Sequence, residues 1–596
     1  MMKNEPTNRP KNHIAWLWEN MKGMRVFYII AMLGTVLYNI MQLTVPYFSG
    51  RIVDIFLSGE DAAANIATKQ DLFYQLLGAM VGFTLLRTLL VYLDCMAYEH
   101  VSQRTLYKVR NFLYDKIQRQ DMTFYSTYRT GDLMTRVTGD LDALRHMIAW
   151  IVRAIIESFS LFTATAVCFF VINWKMALSL LAVAPLVFIA IFFFRKRVAP
   201  MHAKLREKFA QMNTIAQENI AGNRVVKAFV REEYEEDKFD KANQEYRDTN
   251  VETAMMWVRT QPVVEIFVDL LPVVMLAVGG IFLIRGEMTM GEYVTISGLI
   301  WAIANPMRMM GNIMNELQRF KAAGDKVMEI YYSEPKIRDN PGCIEKEGHF
   351  DGKIEFRNVS FHYEDSDMPV LNDISFTIEP QQTVAIMGET GCGKTTLINL
   401  IPRFHEVSSG EILIDGVPVQ DYSLHSLRKN IGLANQDVLL YSDTIEGNIA
   451  YGDVHLSFKE VTKSAKLSAA ASFINRMPDG YDTVVGERGV GLSGGQKQRI
   501  SLARALAVKP SILILDDTTS AVDMETEKEI QDSLRHLDFP ATKLIIAQRI
   551  STAKTADRIM MMRDGHIVES GTHEELVALG GYYKELVDLQ EGGAQI

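Results

Sequence analysis

Six runs of mostly apolar residues, at about 25 to 47, 72 to 94, 146 to 172, 176 to 194, 258 to 284 and 293 to 316, tie the first half of this chain to a membrane. Crossing the hydrocarbon of a bilayer takes roughly 20 such residues in helical form, because every backbone N–H and C=O must be paired inside the segment. The pattern predicts six helical spans, an even number that returns the chain to its starting side. Beyond residue 320 the composition shifts to the mixed charge and turn punctuation of a soluble α/β domain, and 596 residues exceed what one hydrophobic core supports. Two or more domains are expected.

Positive charge sets the orientation. The stretch from Met96 to Arg145 carries Arg104, Lys108, Arg110, Lys116, Arg119, Arg129 and Arg136, and the stretch from Arg195 to Trp257 is richer still, whereas the turns near Trp174 and Arg285 are short and weakly basic. The two long loops are therefore expected on the cytoplasmic side. They show helical periodicity at Val101, Leu106, Val109, Phe112, Leu113 and Ile117, so they read as helices leaving the membrane. Half of such a loop would project roughly 35 to 40 Å, with tips near Met122 to Tyr128 and Gly222 to Phe229. No cleavable signal precedes the first run. His13 to Asn20, with Trp16, Leu17 and Trp18, reads as a short helix lying at the interface, and the N-terminus is expected to stay cytoplasmic.

A net charge of −10 gives no electrostatic reason to expect nucleic acid as a partner. Cys95, Cys168, Cys343 and Cys392 are scattered without metal-ligand or disulfide spacing and read as reduced thiols. Within the spans lie Asn39, Gln42, Arg87, Arg153, Glu157, Glu265, Asp269, Asn305 and Arg308. Such groups line a water-filled cavity or pair internally. Arg153 and Glu157, four apart on one helix, are placed to neutralise each other. Glu265 and Asp269 share a sign and fit a cavity lining for a polar or cationic solute.

From residue 353 onwards, β-branched strand runs alternate with helical stretches, the pattern of a mostly parallel sheet covered by helices. Thr383 to Met387 reads as a buried strand, and Gly388-Glu389-Thr390-Gly391-Cys392-Gly393-Lys394-Thr395 follows at once, then Thr396 and an apolar helix. This is a P-loop. Its glycines let backbone N–H groups turn onto phosphate oxygens, the following helix N-terminus adds positive potential, Lys394 reaches the β- and γ-phosphates, and Thr395 ligates Mg²⁺. A second apolar strand, Ile512 to Leu515, ends in Asp516, placed to hold the Mg²⁺ water shell. Asp517 follows where a base or water-orienting group would act, though a carboxylate pair at a strand end also serves as an ordinary helix cap.

Leu492-Ser-Gly-Gly-Gln-Lys-Gln-Arg499, between the P-loop and Asp516, is similar to the signature motif of ATP-binding-cassette (ABC) proteins, and six spans ahead of a cassette resemble an ABC exporter half-transporter. The resemblance covers almost the whole chain. It implies an α-helical transmembrane domain of six spans followed by an α/β P-loop ABC ATPase domain: an interfacial helix in 1–23, transmembrane helices with two long cytoplasmic loops in 24–320, a linker in 321–352 and the nucleotide-binding domain in 353–596. Carried over, Tyr363 would stack on adenine, Gln436 would sit by Mg²⁺ and face a coupling tip, Asp523 would lie in a loop crossing the dimer interface, and Glu487 would contact the transmembrane helices. Two cassettes would face head to tail, so Ser493, Gly494, Gly495 and Gln496 would contact ATP held by the partner. ATP and Mg²⁺ are the implied cofactors.

Two positions depart from the family pattern. Asp517 stands where glutamate is usual and Gln548 where histidine is usual. The first retracts a carboxylate by about a bond length, and misplacement by about 1 Å can cost on the order of 100-fold in rate. The second donates a hydrogen bond but cannot become a cation. Together they predict a site that binds ATP and hydrolyses it poorly. A degenerate site beside an intact LSGGQ resembles the pattern of bacterial heterodimeric multidrug ABC exporters, and the resemblance implies one subunit of a multi-pass exporter of amphipathic compounds in a bacterial plasma membrane, with a non-identical partner and with nucleotide-binding domain and termini cytoplasmic. A lipid translocase and an ATP-gated, channel-like protein are the rival expectations.

Overall fold

The computed structural model describes residues 12–58, 65, 68–364, 366, 368–486 and 489–592. The chain divides into two compact units: one takes the chain up to Gln118 together with Thr130–Ser333, the other takes Arg119–Arg129 and Glu334–Ile596.

The first unit is helical. After α1 (His13–Asn20) come α2 (Arg25–Leu57) and α3 (Gln70–Gln118). The short α4 (Met122–Thr127) belongs to the second unit. Then follow α5 (Thr130–Ile172), α6 (Trp174–Leu181), α7 (Ala184–Ala221), α8 (Glu232–Val274) and α9 (Met290–Tyr331). Among the described residues, four helical stretches are long and apolar enough to cross a membrane: Arg25–Leu57, Gln70–Gln118, Thr130–Ile172 and Glu265–Ile284. The run expected at 176 to 194 is instead divided between α6 and α7. Pro185 sits in the first turn of α7, where its missing N–H is tolerated, and the preceding residues form a turn. The run expected at 293 to 316 lies inside α9, which starts in a capping box: the Thr289 hydroxyl accepts from the Glu292 N–H and the Glu292 carboxylate accepts from the Thr289 N–H.

The polar groups inside these helices are mostly paired. The Asn39 amide donates to Ser160 Oγ at 2.7 Å and Arg87 donates to Gln42 Oε1 at 2.8 Å. Arg153 feels the charge of the expected Glu157 but spends its hydrogen bonds elsewhere, directing Nη1 to Cys95 Sγ at 2.9 Å and Nε towards the Tyr38 hydroxyl at 3.4 Å, with Asp94 at 3.9 Å. A guanidinium with five donors reaches facing helices more effectively than its own. Asp269, expected beside a like charge, accepts from Arg308 Nη2 of α9 at 2.9 Å. Its partner is thus 39 positions away, across two helices.

Helix α1 lays its apolar face on protein. Trp16 and Leu17 are buried, Trp16 meets the Tyr331 ring edge-on at 5.1 Å, and His13 Nε2 lies 2.8 Å from Asp325 Oδ1. An apolar helix face suits a protein groove as well as a bilayer surface, and here it is covered by helices of its own unit. Helices α7 and α8 pack chiefly against one another, joined by Lys208–Glu245 at 2.7 Å, and the tip between them leaves Val225, Phe229 and Val230 exposed.

The second unit contains two sheets. β1 (Ile354–Phe361), β2 (Leu371–Ile378), β4 (Ser409–Ile414) and β5 (Val417–Pro418) form an antiparallel sheet in the order β2-β1-β4-β5. β3 (Thr383–Gly388), β6 (Ile431–Ala434), β7 (Ile512–Asp516), β8 (Thr542–Ile546), β9 (Arg558–Arg563) and β10 (His566–Gly571) form the second, in the order β10-β9-β3-β8-β7-β6. All neighbours in it are parallel except β10 with β9. Every residue of β7 is buried, as parallel strands covered on both faces require. Ile386, Ile512, Ile514, Leu544 and Ile546 share a core with Phe356 and Phe376 of the antiparallel sheet, whose rings stack at 4.5 Å.

Trp16→Ala is expected to lower the stability of the full chain by about 3 kcal/mol, the scale for emptying a buried indole site, whereas Trp18→Ala changes it little. Thermal unfolding in detergent measures both; equal effects would contradict the buried placement of α1.

Candidate functional site: a nucleotide site at the ends of parallel strands

The order β3-β8-β7-β6 sets four loops side by side at the carboxyl ends of parallel strands, the usual ligand edge of an open α/β sheet. The P-loop follows β3, Gln548 follows β8, Asp516 and Asp517 close β7, and Gln436 follows β6.

Glycine is required at two P-loop positions. At Gly388 φ is 149°, and a Cβ would lie 2.2 Å from the Met562 carbonyl oxygen; at Gly393 φ is 101°, with the Val370 carbonyl oxygen 3.0 Å from a Cβ. Gly393 caps helix α10 (Lys394–Leu400), whose first N–H groups open onto the loop. Lys394 Nζ donates back to the carbonyls of Gly388 at 2.8 Å and Glu389 at 2.7 Å, so its charge is held over the loop. Glu389, Thr390 and Gly391 form the exposed crest, while Cys392 and Thr396 are buried beneath it. Thr396 shares a 3.0 Å hydrogen bond with the Tyr363 hydroxyl. The Tyr363 ring, edge-on to Phe361 and His405, stays 39% exposed.

Thr395 Oγ1 donates to Asp516 Oδ2 at 3.0 Å. Both border a cavity of about 680 Å³ whose wall also includes Tyr363, His405, Gln436 and, from α4, Met122, Thr123 and Ser126. Helix α4 is fixed there because Asp121 caps it through the Phe124 N–H at 3.0 Å and accepts the Lys336 N–H at 2.6 Å. A hydroxyl, one carboxylate and a side-chain amide around open space are an oxygen donor set suited to Mg²⁺, which keeps much of its water and takes few protein ligands. No group of three His, Cys, Asp or Glu that could hold a metal occurs among the described residues. Thr395, Asp516 and Gln436 are the residues that would hold Mg²⁺ together with ATP phosphates, where the ion would neutralise phosphate charge.

Asp517 adopts φ of 49°, and its side chain is buried. Its Oδ2 accepts the Gln548 Nε2–H at 2.6 Å. The two residues that depart from the family pattern are thus bonded to each other. Burial pushes both the Asp516 and Asp517 carboxyls up from their ordinary value. Sequence reasoning gave no role to Gln498, which clamps this turn: Nε2 donates to the Asp517 carbonyl and Ser520 Oγ, both at 3.3 Å, and Oε1 accepts the Ala521 N–H at 3.2 Å. The only signal available was its place inside the signature segment.

The signature residues take no part in the cavity wall. Ser493 and Gln496 cap α11 (Gly494–Ala507) reciprocally: the Ser493 N–H donates to Gln496 Oε1 at 2.9 Å and the Gln496 N–H to Ser493 Oγ at 3.3 Å. Gly495 lies against Ala521, whose carbonyl oxygen would be 2.7 Å from a Cβ. Asp523 caps α12 (Met524–Arg535) through the Thr526 N–H at 3.0 Å, and that bond holds its carboxyl below the ordinary value. Glu487 lies outside the described residues.

Family models for the ABC transporter transmembrane region and for the ABC transporter match residues 28–307 and 371–520. The Bacillus subtilis (strain 168) ABC transporter ATP-binding protein YknU is 39% identical over 82% of this chain and 83% of that protein. The chain belongs to the ABC transporter family. An ATP-dependent lipid A-core flippase of Syntrophus aciditrophicus (strain SB) is 37% identical over 84% of this chain and 82% of the flippase. The Bacillus subtilis multidrug export ATP-binding/permease protein YgaD is 34% identical over 94% of this chain and 96% of its own. Among solved structures, a bacterial Atm1-family ABC exporter with ATP bound aligns with a TM-score of 0.79 at 28% identity, covering 95% of this chain and 98% of that one. This ABC exporter half-transporter therefore joins a helical transmembrane domain to an α/β ATPase domain in one chain.

Because the folded pKa of Asp517 is raised, the stability this group supports is complete below its unfolded value near 3.8 and is lost as pH rises through the folded one. Asp517→Asn is expected to melt above the unsubstituted chain at neutral and alkaline pH, with a margin that narrows as pH falls through the folded pKa of Asp517. A margin that widens on acidification, followed by differential scanning fluorimetry, would contradict the burial argument.

Proposed function

We propose that this ABC exporter chain is one half of a heterodimer that moves amphipathic compounds outward across a bacterial plasma membrane, and that its own ATP site binds nucleotide without efficient hydrolysis. The observation that carries this is the 2.6 Å hydrogen bond from the Gln548 amide to the Asp517 carboxylate. An in-line attack on ATP needs a carboxylate free to orient water or take its proton. Here that carboxylate is short by one methylene, buried, and engaged by an amide that cannot carry charge. In this reading Lys394 and the P-loop amides hold the phosphates, Thr395, Asp516 and Gln436 serve Mg²⁺, Tyr363 supports the adenine ring, and Asp517 and Gln548 keep ATP intact.

Ser493, Gly494, Gly495 and Gln496 then complete the working site of a non-identical partner that carries glutamate and histidine at the matching positions, with Asp523 at the seam. The asymmetry of the two tips supports a second chain: α4 lies within the nucleotide unit, while the apolar tip at Val225, Phe229 and Val230 has no cover. In this reading Trp174–Leu181 with the start of α7, and the first half of α9, supply the two spans beyond the four apolar stretches. The nucleotide unit and both termini lie in the cytoplasm.

Drug-type export is favoured by the name of one relative, multidrug export, and lipid translocation by that of another, lipid A-core flippase. Transport of a fluorescent lipid against that of an amphipathic dye in proteoliposomes separates the two.

Asp517→Glu combined with Gln548→His is expected to raise the ATPase rate of this chain purified alone by at least about 10-fold, the reverse of a 1 Å misplacement. Robust turnover by the unsubstituted chain alone would sink the heterodimer reading.

A further inference from the structure

After α13 (His573–Leu579), the last described helix, α14 (Tyr582–Gly592), lies beyond the segment matched by the ABC transporter model, yet it reaches the nucleotide site twice. Gln590 presents a side-chain amide to the loop after β8. Its Nε2 donates to the Gln548 carbonyl at 2.9 Å, and its Oε1 accepts the Ile550 N–H at 2.9 Å. The pair of bonds imitates one rung of a β ladder, so it fixes the direction of the loop as well as its distance. At the other end of the helix, the Tyr582 hydroxyl donates to Glu389 Oε1 on the P-loop crest at 3.2 Å.

The helix itself is firmly seated. The Glu569 carboxylate at the end of β10 accepts the N–H groups of Tyr582 at 2.5 Å and Tyr583 at 2.9 Å. Tyr583 is fully buried and lies 2.8 Å from His573 Nδ1. Val587 packs in one cluster with Ala385 and Met387 of β3 and with Ala547 and Ile550 flanking the Gln548 loop. One helix thus touches both the P-loop and the loop after β8.

We propose that α14 is a brace on this chain's nucleotide site and that Gln590 is a positioning residue for Gln548. Gln548 is held from both directions, its side chain on Asp517 and its carbonyl under Gln590. Tyr582 steadies the P-loop from the same helix. The brace rests on the reading that this site retains nucleotide, and it assigns part of that retention to residues outside every nucleotide motif.

The test uses the full-length chain in lipid nanodiscs, loaded with the fluorescent analogue mant-ATP and Mg²⁺ and chased with excess ATP in a stopped-flow instrument. Gln590→Ala, an exposed position that leaves the core intact, is expected to speed release by about 3- to 10-fold, the scale of one or two lost hydrogen bonds. Gln590→Glu keeps the acceptor for the Ile550 N–H and should fall between. Leu589→Ala, exposed on the same helix, should release at the unsubstituted rate. In a Gln548→Ala background, Gln590→Ala should add nothing, because the side chain it positions is gone. Unchanged release in Gln590→Ala, or an equal acceleration in the Gln548→Ala background, would overturn the brace. The absolute release rate of the unsubstituted chain tests retention separately, since the brace is read from the ratio alone.

Discussion

Parallel strand order governs this site. β3, β8, β7 and β6 run side by side in one sense, so residues separated by more than a hundred positions end at one edge. The register of β7 against β8 pairs Asp516 with Ile546, which leaves Asp517 and Gln548 just beyond the paired segment and within reach of each other. The same order puts the P-loop between the β8 loop and the hairpin of β9 and β10, where the Met562 carbonyl limits position 388 to glycine. Buried β-branched strands hold that register because a one-residue slip would turn Ile512, Ile514, Ile546 and their neighbours to the wrong face.

The Asp517–Gln548 bond changes how two substitutions are understood. Taken separately, a shorter carboxylate and a missing histidine each describe an impaired catalyst. Bonded to each other and set between Gln498 on one flank and Gln590 on the other, they form a closed polar arrangement with its own geometry. Buried polar groups are stable only when partnered, and a carboxylate in this position otherwise faces the full desolvation penalty. Glutamine is a suitable partner because it satisfies the carboxylate without titrating.

Much of the nucleotide site was legible in the sequence because its chemistry demands fixed residue types at fixed spacing: glycines where the loop turns, Lys394 and Thr395 after them, and Asp516 after a buried apolar strand. What was not legible depends on sheet order. Gln498, Gln590 and Tyr582 act through hydrogen bonds between elements distant in the chain, and nothing in their neighbourhoods marks them. In the helical unit, periodicity located helices but could not say what covers an apolar face, and Trp16 and Leu17 of the helix expected at the interface are buried against protein. Hydropathy likewise overlooked Pro185 dividing one run, and it could not show that Asp269 meets Arg308 from another helix.

In the proposed cycle one nucleotide stays intact in this chain while transport proceeds. The direct measurement is the fate of radiolabelled ATP bound to the assembled exporter during turnover, with photolabelling to identify the chain that holds it. About one equivalent of uncleaved ATP per complex is expected, cross-linked to this chain and outlasting many cycles of hydrolysis at the other site. Cleavage of ATP on both chains at equal rates would contradict it.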